Sequence, residues 1–568
     1  MIKNKNNTSK EESWFQYYPK GKDVSLDYSN HPIYYFFDEM AEKHPRRTAL
    51  DFYGYKVSYQ ELKNLSDRLA KKLQDLDIKK GDRVAFLLPN CPQIIIGILA
   101  TMKAGAIPVP LNPLYPREEL LYVLKDFSPR FVVSLKRFAG KLKGIDQQLN
   151  TQIILTNISD YLPSYLKSLS LIKEAPNYFA RKRNEHNLNN FLSFVKLIED
   201  SQSSDYQKRD GDLEKDTALM VYTSGTTGKP KGVMLTYSNL LSVVATSRKW
   251  TEGLKMDSFL GVLPFFHIYG LTTVLFFALY QGSTIYLQPQ FHTKSALAAI
   301  KKNQIQAFVG VPAMYQGMLR TWENDKKKYD LSCLRVCTSG ASSIPEETFI
   351  KIKEMAPQAV LLEGYGLSET SPIITMDPIR ENYQKAPGSP GIPVFDTDIK
   401  VISLEEKERK FLDVGQIGEI IIKGPQVFKG YWQKPEKTKE VLKDGWFYTK
   451  DVGWISDDGR IYLKGRLDDM INSRGEKIWP AEVENILTNH PKVKEVAFVG
   501  VNSEYYGQTL KAFVVLEKNI KCTAKELIKY CQEKLIYYKI PREVEFVENL
   551  PKNIIGKIMR YKLRSTQK

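Results

Sequence analysis

A chain of 568 residues with 82 Lys and Arg against 65 Asp and Glu carries a formal charge of +17, on 42% hydrophobic and 26% charged residues. That length allows about three to five domains, or one large lobe with an appendage, and the composition excludes disordered, collagen-like and coiled-coil chains. The cationic excess admits nucleic acid, an anionic membrane or a polyphosphate ligand, and composition alone does not choose among them.

The first 22 residues are polar around the aromatic run Trp14-Phe15-Gln16-Tyr17-Tyr18 and have no signal-peptide apolar core. Residues 1–33 read as an N-terminal extension. From Tyr34 to about Gly465, strand-like and helix-like segments alternate. Arg83 to Leu88 reads as a buried strand, Gln93 to Gly105 as a helix and Ala106 to Pro110 as the next strand. The rhythm repeats at Ala218–Tyr222, Ser283–Leu287, Ala307–Val311, Leu334–Thr338 and Ala359–Leu362, the pattern of βαβ units on a largely parallel sheet. Between Asn150 and Asp216 the pattern weakens, and the segment reads as an insertion or long excursion. The longest apolar stretch, the 13 residues Ile268 to Tyr280, is too short to span a bilayer. After Gly465-Arg466 the elements shorten into an α+β arrangement, with helices over 481–487 and 524–535 and strands over 493–501, 510–516 and 544–546. The expected fold is α/β, a large N-terminal lobe of stacked α/β sheet subdomains with a small α+β C-terminal domain.

The five cysteines (Cys91, Cys333, Cys337, Cys522 and Cys531) show no zinc spacing. They read as buried reduced thiols of a cytoplasmic protein.

The strongest local signal is Thr223-Ser224-Gly225-Thr226-Thr227-Gly228-Lys229-Pro230-Lys231. Hydroxyls and glycines interleaved this densely leave N–H and O–H groups free to wrap phosphate oxygens, and the lysines supply charge. Pro230 rules out the G-x-x-x-x-G-K-[ST] loop. A second signal, Glu363-Gly364-Tyr365-Gly366-Leu367-Ser368-Glu369-Thr370, follows a strand at the end where open α/β sheets form ligand crevices. Glu369 breaks the dinucleotide fingerprint and Thr370 breaks a G-x-S-x-G elbow. Glu369 suits a Mg²⁺ ion as a hard oxygen ligand, and Ser368 suits a phosphoryl oxygen.

With Tyr448-Thr449-Lys450-Asp451, Gly465-Arg466-Leu467-Asp468-Asp469 and Leu550-Pro551-Lys552-Asn553-Ile554-Ile555-Gly556-Lys557, the chain resembles the adenylate-forming family of acyl-CoA synthetases, peptide-synthetase adenylation domains and luciferases. The stretch Gly261 to Gly270 and the segment Leu362 to Gly366 look most like bacterial long-chain fatty-acid–CoA ligases. The resemblance implies an adenylation domain over 34–466 and a lid over 467–568 that rotates at Asp468. It implies that an acid and ATP form an acyl-adenylate and pyrophosphate, and that coenzyme A then takes the acyl group. By motif, Lys557 contacts the carboxylate and α-phosphate, and Thr223 to Lys231 hold the outer phosphates. Asp451 accepts from the ribose with Arg466 in support. Ser339, Gly340, Ala341 and Ser342 flank adenine with Gly364 and Tyr365. His267, Tyr269, Gly270, Leu271, Gly310, Gly340 and Met314 are the expected acyl-pocket residues, although apolar residues there could equally be core.

Two departures from the family pattern matter. Lys450 stands where the family has Gly, so a turn requiring positive φ would cost about 1 kcal/mol and could shift Asp451. Ser368 replaces the commoner Thr and keeps the hydroxyl. An aromatic tunnel gate known in some long-chain members falls on Leu271.

The sequence leaves three function classes to weigh. The first is a fatty acyl-CoA ligase using ATP, Mg²⁺ and coenzyme A, with a medium-chain or aryl acid ligase and an acyl-AMP ligase serving a carrier protein as alternatives. The second, a non-catalytic lipid binder, sits poorly with Lys557, Glu369 and Asp451 all present. The third, a nucleic-acid binder, lacks any RNP, helix-turn-helix or zinc signature. From Gly507 to Lys568 there are 14 Lys and Arg against 6 Asp and Glu, an excess that suits the phosphates of coenzyme A. Peripheral contact with an anionic membrane and a homodimer are left open.

Overall fold

The computed structural model describes residues 14–18, 25–168, 191–201, 205–209, 211–223, 229–380, 383–405, 409–473, 476–503, 507–553 and 556–565. Ser224, Gly225, Thr226, Thr227 and Gly228 therefore lie outside the described residues.

Two parallel-centred sheets make the body of the lobe. One runs Ile107–Pro110, Arg83–Leu87, Phe131–Leu135, Gln152–Thr156 and Leu192–Ser193, every pairing parallel. The other has nine strands, and its central six are parallel: Val360–Tyr365, Val336–Ser339, Ala307–Gly310, Ser258–Gly261, Thr284–Leu287 and Thr48–Phe52. The helix Pro92–Lys103 has all its residues buried. An all-round apolar helix belongs inside a protein, and strands of both sheets share its core cluster. Gly97 permits the contact, since a Cβ there would meet Phe86 Cε1 at 2.3 Å. Lys103 ends the helix fully buried, its ammonium 2.6 Å from both Asp38 Oδ1 and Asp67 Oδ1 and 3.1 Å from Ser66 Oγ. Such a charge is stable indoors only when paired this completely.

A third, antiparallel sheet joins Thr217–Thr223, Lys231–Thr236 and Gly430–Tyr431. The Ser/Thr/Gly segment thus connects two strands of a hairpin, unlike the strand-to-helix loop of P-loop proteins. A fourth sheet carries Asp398–Ile402, Gly418–Lys423, Trp446–Ile455 and Ile461–Arg466. The next strand, Ile471–Ser473, belongs to the separate C-terminal sheet of Val493–Ser503, Gly507–Leu516 and Glu543–Phe546, covered by helices Pro480–Thr488 and Ala524–Gln532.

Three expectations from the sequence are corrected. The segment 150–216 is not one excursion, because Gln152–Thr156 is an integral parallel strand and Phe194–Glu199 a buried-faced helix; residues 169–190 are not described. The strand at 359–362 runs on through Glu363, Gly364 and Tyr365, whose last two residues pair antiparallel with Thr375–Met376. Of the expected N-terminal extension, the described residues 14–18 join the core, with Tyr18 packing against Trp250 and Phe395 and Trp14 in the same apolar cluster.

The apolar stretch from Ile268 is a helix that widens to i→i+5 pitch over Leu271–Phe276 and returns to α over Phe277–Tyr280. Helices of this kind often mark functional sites. No helix among the described residues is long and apolar enough to cross a membrane.

Candidate active site

A cavity of about 780 Å³ opens between the large lobe and the C-terminal sheet domain. Its mouth collects Thr223, Lys231, His267, Ser339, Gly340, Ala341, Gly364, Tyr365, Ser368, Glu369, Arg466, Asp468 and Lys557. These residues come from strand ends and turns spread over more than 330 positions of chain. The parallel strands deliver Ser339 and Gly364 at their carboxyl ends, the place where such sheets form crevices. Ser339 Oγ is buried and has no hydrogen-bond partner among the described residues, so it is an acceptor and donor in waiting on the wall.

Glu369 is held by two contacts. The Tyr431 hydroxyl donates to its Oε1 at 2.8 Å, and its carbonyl accepts from Phe428 N–H at 2.8 Å. Its second carboxylate oxygen is left to the cavity. The ammonium of Lys231 lies 5.0 Å over the Tyr431 ring; burial lowers its pKa and Glu369 opposes that shift. Lys229 is exposed and turns instead to the Tyr122 ring, outside the cavity wall. Among the described residues no group of three or more His, Cys, Asp or Glu side chains is placed to hold a metal ion by itself. One carboxylate beside hydroxyls and cations fits Mg²⁺, which binds through one or two carboxylates plus substrate phosphates.

On the opposite side, Lys557 sits in a turn fixed by Asn553, whose Oδ1 accepts from the Lys557 N–H at 2.8 Å. Burial, then the nearby Arg466 guanidinium, lowers its pKa. Arg466 reaches Asp451 Oδ1 at 3.5 Å, and that carboxylate raises its pKa further. Asp451 itself stands one layer behind the wall, its Oδ2 accepting from the Tyr365 hydroxyl at 2.6 Å. Lys450 takes its place at the mouth. Its φ is +60°, the left-handed conformation that the Gly pattern implies; its N–H donates to Glu419 Oε1 at 3.0 Å and its ammonium lies 3.3 Å from Asp468 Oδ1.

His267 precedes the helix at Ile268, and its Nδ1 accepts from Tyr269 N–H at 3.2 Å, which puts the ring proton on Nε2. Burial first, and Lys557 second, bring its pKa down to about 4. It is therefore a neutral donor throughout the physiological range. Since the unfolded chain takes a proton near the ordinary 6.5 and the folded one only near 4, the residue withdraws stability as pH falls through that window. An NMR titration of the His267 ring is expected to show no protonation down to about pH 5; a midpoint near the ordinary value would contradict this environment.

Behind the mouth the cavity becomes an apolar channel. Tyr269 lines it, and a Cβ on Gly340 would stand 3.1 Å from the Tyr269 ring, so the glycine leaves the passage its width. Gly270, Leu271, Gly310 and Met314, expected as pocket residues, do not stand in the wall. Gly270 packs against backbone, with a Cβ position 2.6 Å from Pro264 O. Leu271 is fully buried in the core, Met314 packs against the same cluster, and Gly310 faces the Phe308 and Tyr315 rings. Four of the hydroxyls that line the channel are turned away from it. Thr251 Oγ1 donates to Ser247 O at 2.7 Å, Ser247 Oγ to Val243 O at 2.8 Å, Thr375 Oγ1 to Pro390 O at 2.8 Å and Thr273 Oγ1 to Tyr269 O. What these side chains present is carbon.

Sequence motifs missed an ionic brace under the mouth. Glu363 Oε1 accepts from Ile344 N–H at 3.1 Å, tying the strand Val360–Tyr365 to the turn after Ser339. The Lys385 ammonium lies 2.9 Å from Glu363 Oε2 and 2.5 Å from Asp377 Oδ2, and Asp377 accepts from Glu363 N–H at 2.9 Å. Glu363 was within a motif, but nothing in the sequence pointed to Lys385.

The arrangement converges cations and oriented donors on one point and continues into an apolar channel, as an enzyme that activates a carboxylate on a nucleotide requires. The chain belongs to the AMP-binding enzyme family, which matches residues 37–432, with the AMP-binding enzyme C-terminal domain matching 482–557.

Among relatives, it is 37% identical to the long-chain-fatty-acid–CoA ligase of Bacillus subtilis, covering 97% of this chain and 98% of that one. It is 30% identical to 4-coumarate–CoA ligase 3 of Arabidopsis thaliana, over 96% and 93% of the two chains. The structure of ATP-bound MatB from Rhodopseudomonas palustris superposes with a TM-score of 0.81 at 27% identity, over 94% of this chain and 99% of the other. The o-succinylbenzoate CoA synthetase of Bacillus subtilis, with ATP and magnesium, gives 0.78 at 27%, over 94% and 99%.

Proposed function

We propose that this chain is a long-chain fatty-acid–CoA ligase. A fatty carboxylate oxygen attacks the α-phosphorus of ATP, and the bond to the β-phosphate oxygen breaks with release of pyrophosphate. The thiol of coenzyme A then attacks the acyl carbonyl and AMP leaves. The observation that carries this reading is the channel behind Tyr269 and Gly340, lined by Phe259, Phe277, Val309, Val336 and Leu362, with the hydroxyls of Thr251, Ser247, Thr273 and Thr375 all donated to backbone carbonyls. A passage whose surface is largely carbon favours an unsubstituted aliphatic chain, because a polar substrate would lose most of its hydration there without replacement. The family and the named ligases among its relatives support the same chemistry.

The residues divide the work. Bringing a carboxylate to a polyphosphate opposes like charges, so the catalytic need is for preplaced cations and donors rather than a general base. Lys557 serves the carboxylate and α-phosphate. Lys231, with the segment from Thr223, serves the outer phosphates. Arg466 and Asp451 set the ribose end. Ser339, Gly340 and Ala341 face Gly364 and Tyr365 across the base, and neutral His267 orients the acid at the channel entrance. Glu369 would hold Mg²⁺, which when bound supplies charge neutralisation on the polyphosphate; Ser368 faces the same phosphates. The basic C-terminal segment receives the anionic coenzyme.

The test is release of pyrophosphate from ATP on addition of palmitate, with acyl-CoA formed only when coenzyme A is present. Absence of palmitate-dependent pyrophosphate, with 4-coumarate active in the same assay, would overturn the fatty-acid reading in favour of an aryl acid.

A further inference from the structure

The channel is built in layers set by strand register. Val309, Thr338 and Leu362 are lateral partners on neighbouring strands and all face the cavity. Two residues nearer the strands' amino ends, Ala307 and Val336 do so again, with Phe259 paired to Ala307. At about 3.3 Å per residue, the four residues from Gly340 back to Val336 carry the channel about 13 Å into the fold. The cavity also reaches Ser247, Thr251 and Met256, where the helix Tyr237–Trp250 gives way to the turn that follows it.

A second cavity, of about 320 Å³, lies beyond that turn beside Leu26, Ala245 and Tyr280. Thr251 lines both cavities, so the wall between them is one side chain thick at this point. The residue is 7% exposed, and its hydroxyl is committed to Ser247 O. The surrounding turn is tied to the helix by Thr251 N–H on Ser247 O at 3.1 Å, and at its far end Met256 O accepts from Ser283 Oγ at 2.6 Å and Gln281 Nε2 at 3.1 Å. At Gly253, φ is +89° and nothing stands within 4 Å of a Cβ position.

We infer that Thr251 is the stop that fixes the acyl chain length this enzyme accepts, the methyl end of the chain resting against it. This rests on the fatty-acid reading above. The outer cavity is ringed by Arg248, Lys249 and Glu252 and is a poor site for a methylene. A chain too long for the channel must therefore either leave carbons uncovered or displace the stop. Each methylene kept from burial lowers binding about fourfold, so the preference is steep.

The experiment compares wild-type enzyme with Thr251→Phe and Thr251→Ala over saturated acids from octanoate to stearate, reading kcat/KM with ATP and coenzyme A. Thr251→Phe is expected to lower the stearate-to-octanoate ratio at least about tenfold, and Thr251→Ala to raise it. Filling the outer cavity with Ala245→Phe in the Thr251→Ala background should return the ratio to its starting value, which a merely loosened helix would not do. If Thr251→Phe does not fold, as judged by its melting curve, the alanine variant and its filled double variant carry the test. An unchanged chain-length profile in every folded variant overturns the inference. Absence of turnover with any acid in the wild type would instead sink the fatty-acid reading on which it rests.

Discussion

Lys557→Ala is expected to lower acid-dependent pyrophosphate release about 10²–10³-fold, the usual cost of removing one preplaced charge-stabilising donor. Conversion of supplied acyl-adenylate to acyl-CoA should fall far less. Lys557 and Arg466 face one another at the mouth, and that proximity, after burial, is what lowers the lysine's pKa. Asp451 and Asp469 offset part of the repulsion between the two cations, and what is left still lowers the lysine's pKa. A carboxylate arriving against a phosphate relieves it, so the stabilisation is felt most as negative charge gathers on the transferring group. The thioester step transfers an already activated acyl group, and there the ammonium has less to neutralise. Equal loss in both half-reactions, measured with wild-type-like melting, would contradict the role given to Lys557.

The largest expected effect outside the catalytic groups comes from Lys385→Met. Glu363 and Asp377 are almost completely buried, and Lys385 is the cation set between them. Removing one partner from such a cluster leaves uncompensated charge, at a cost of about 3–5 kcal/mol. Burial raises the pKa of both carboxylates and Lys385 opposes the shift. Without the lysine both would rise further, so the native state would hold more protons than the unfolded chain up to higher pH. Stability then falls as pH rises through that window. The variant's melting temperature is expected to drop relative to wild type and to recover part of the loss as pH is lowered from about 8 to about 6. Glu363→Gln in the same background should recover part of it at any pH. Because Glu363 Oε1 ties the turn after Ser339 to the strand carrying Gly364, the KM for ATP should rise more than kcat falls. A melting temperature that ignores pH would show that the brace is not ionic in the way its geometry indicates.

Much of the fold and of the site's composition was legible in the sequence. The apolar runs at Arg83–Leu87, Ala307–Gly310 and Val336–Ser339 announce buried parallel strands, since a strand covered on both faces needs no alternation. The motif segments reached the mouth because each is local: a turn, a strand end or a hinge whose residue types fix its chemistry. The channel was less legible. Leu271 and Met314 are apolar like the true lining residues, and composition does not say which side of a strand or helix meets the void. Ser247 and Thr251 look polar on the page and become carbon surface only because their hydroxyls bond backward along the helix. Lys385 was invisible for a similar reason: its partners lie 8 and 22 positions away, Glu363 on a strand and Asp377 just past another, and only the fold brings them within reach. The strand Gln152–Thr156 was hidden by the polar sequence around it.

Lys450 shows how cheaply a single position can tune such a mouth. Holding a lysine at φ +60° costs about 1 kcal/mol, and a half-exposed ion pair returns at most about the same. The residue is therefore close to neutral for folding, and its identity is free to follow the needs of turnover. Its pair with Asp468 sits at the joint between the strand ending at Arg466 and the C-terminal sheet beginning at Ile471. An exposed pair is screened over a Debye length of about 8 Å at physiological ionic strength, so the joint is stiffer in dilute buffer and looser in brine. A glycine at the same place would carry no such electrolyte-dependent contact to Asp468.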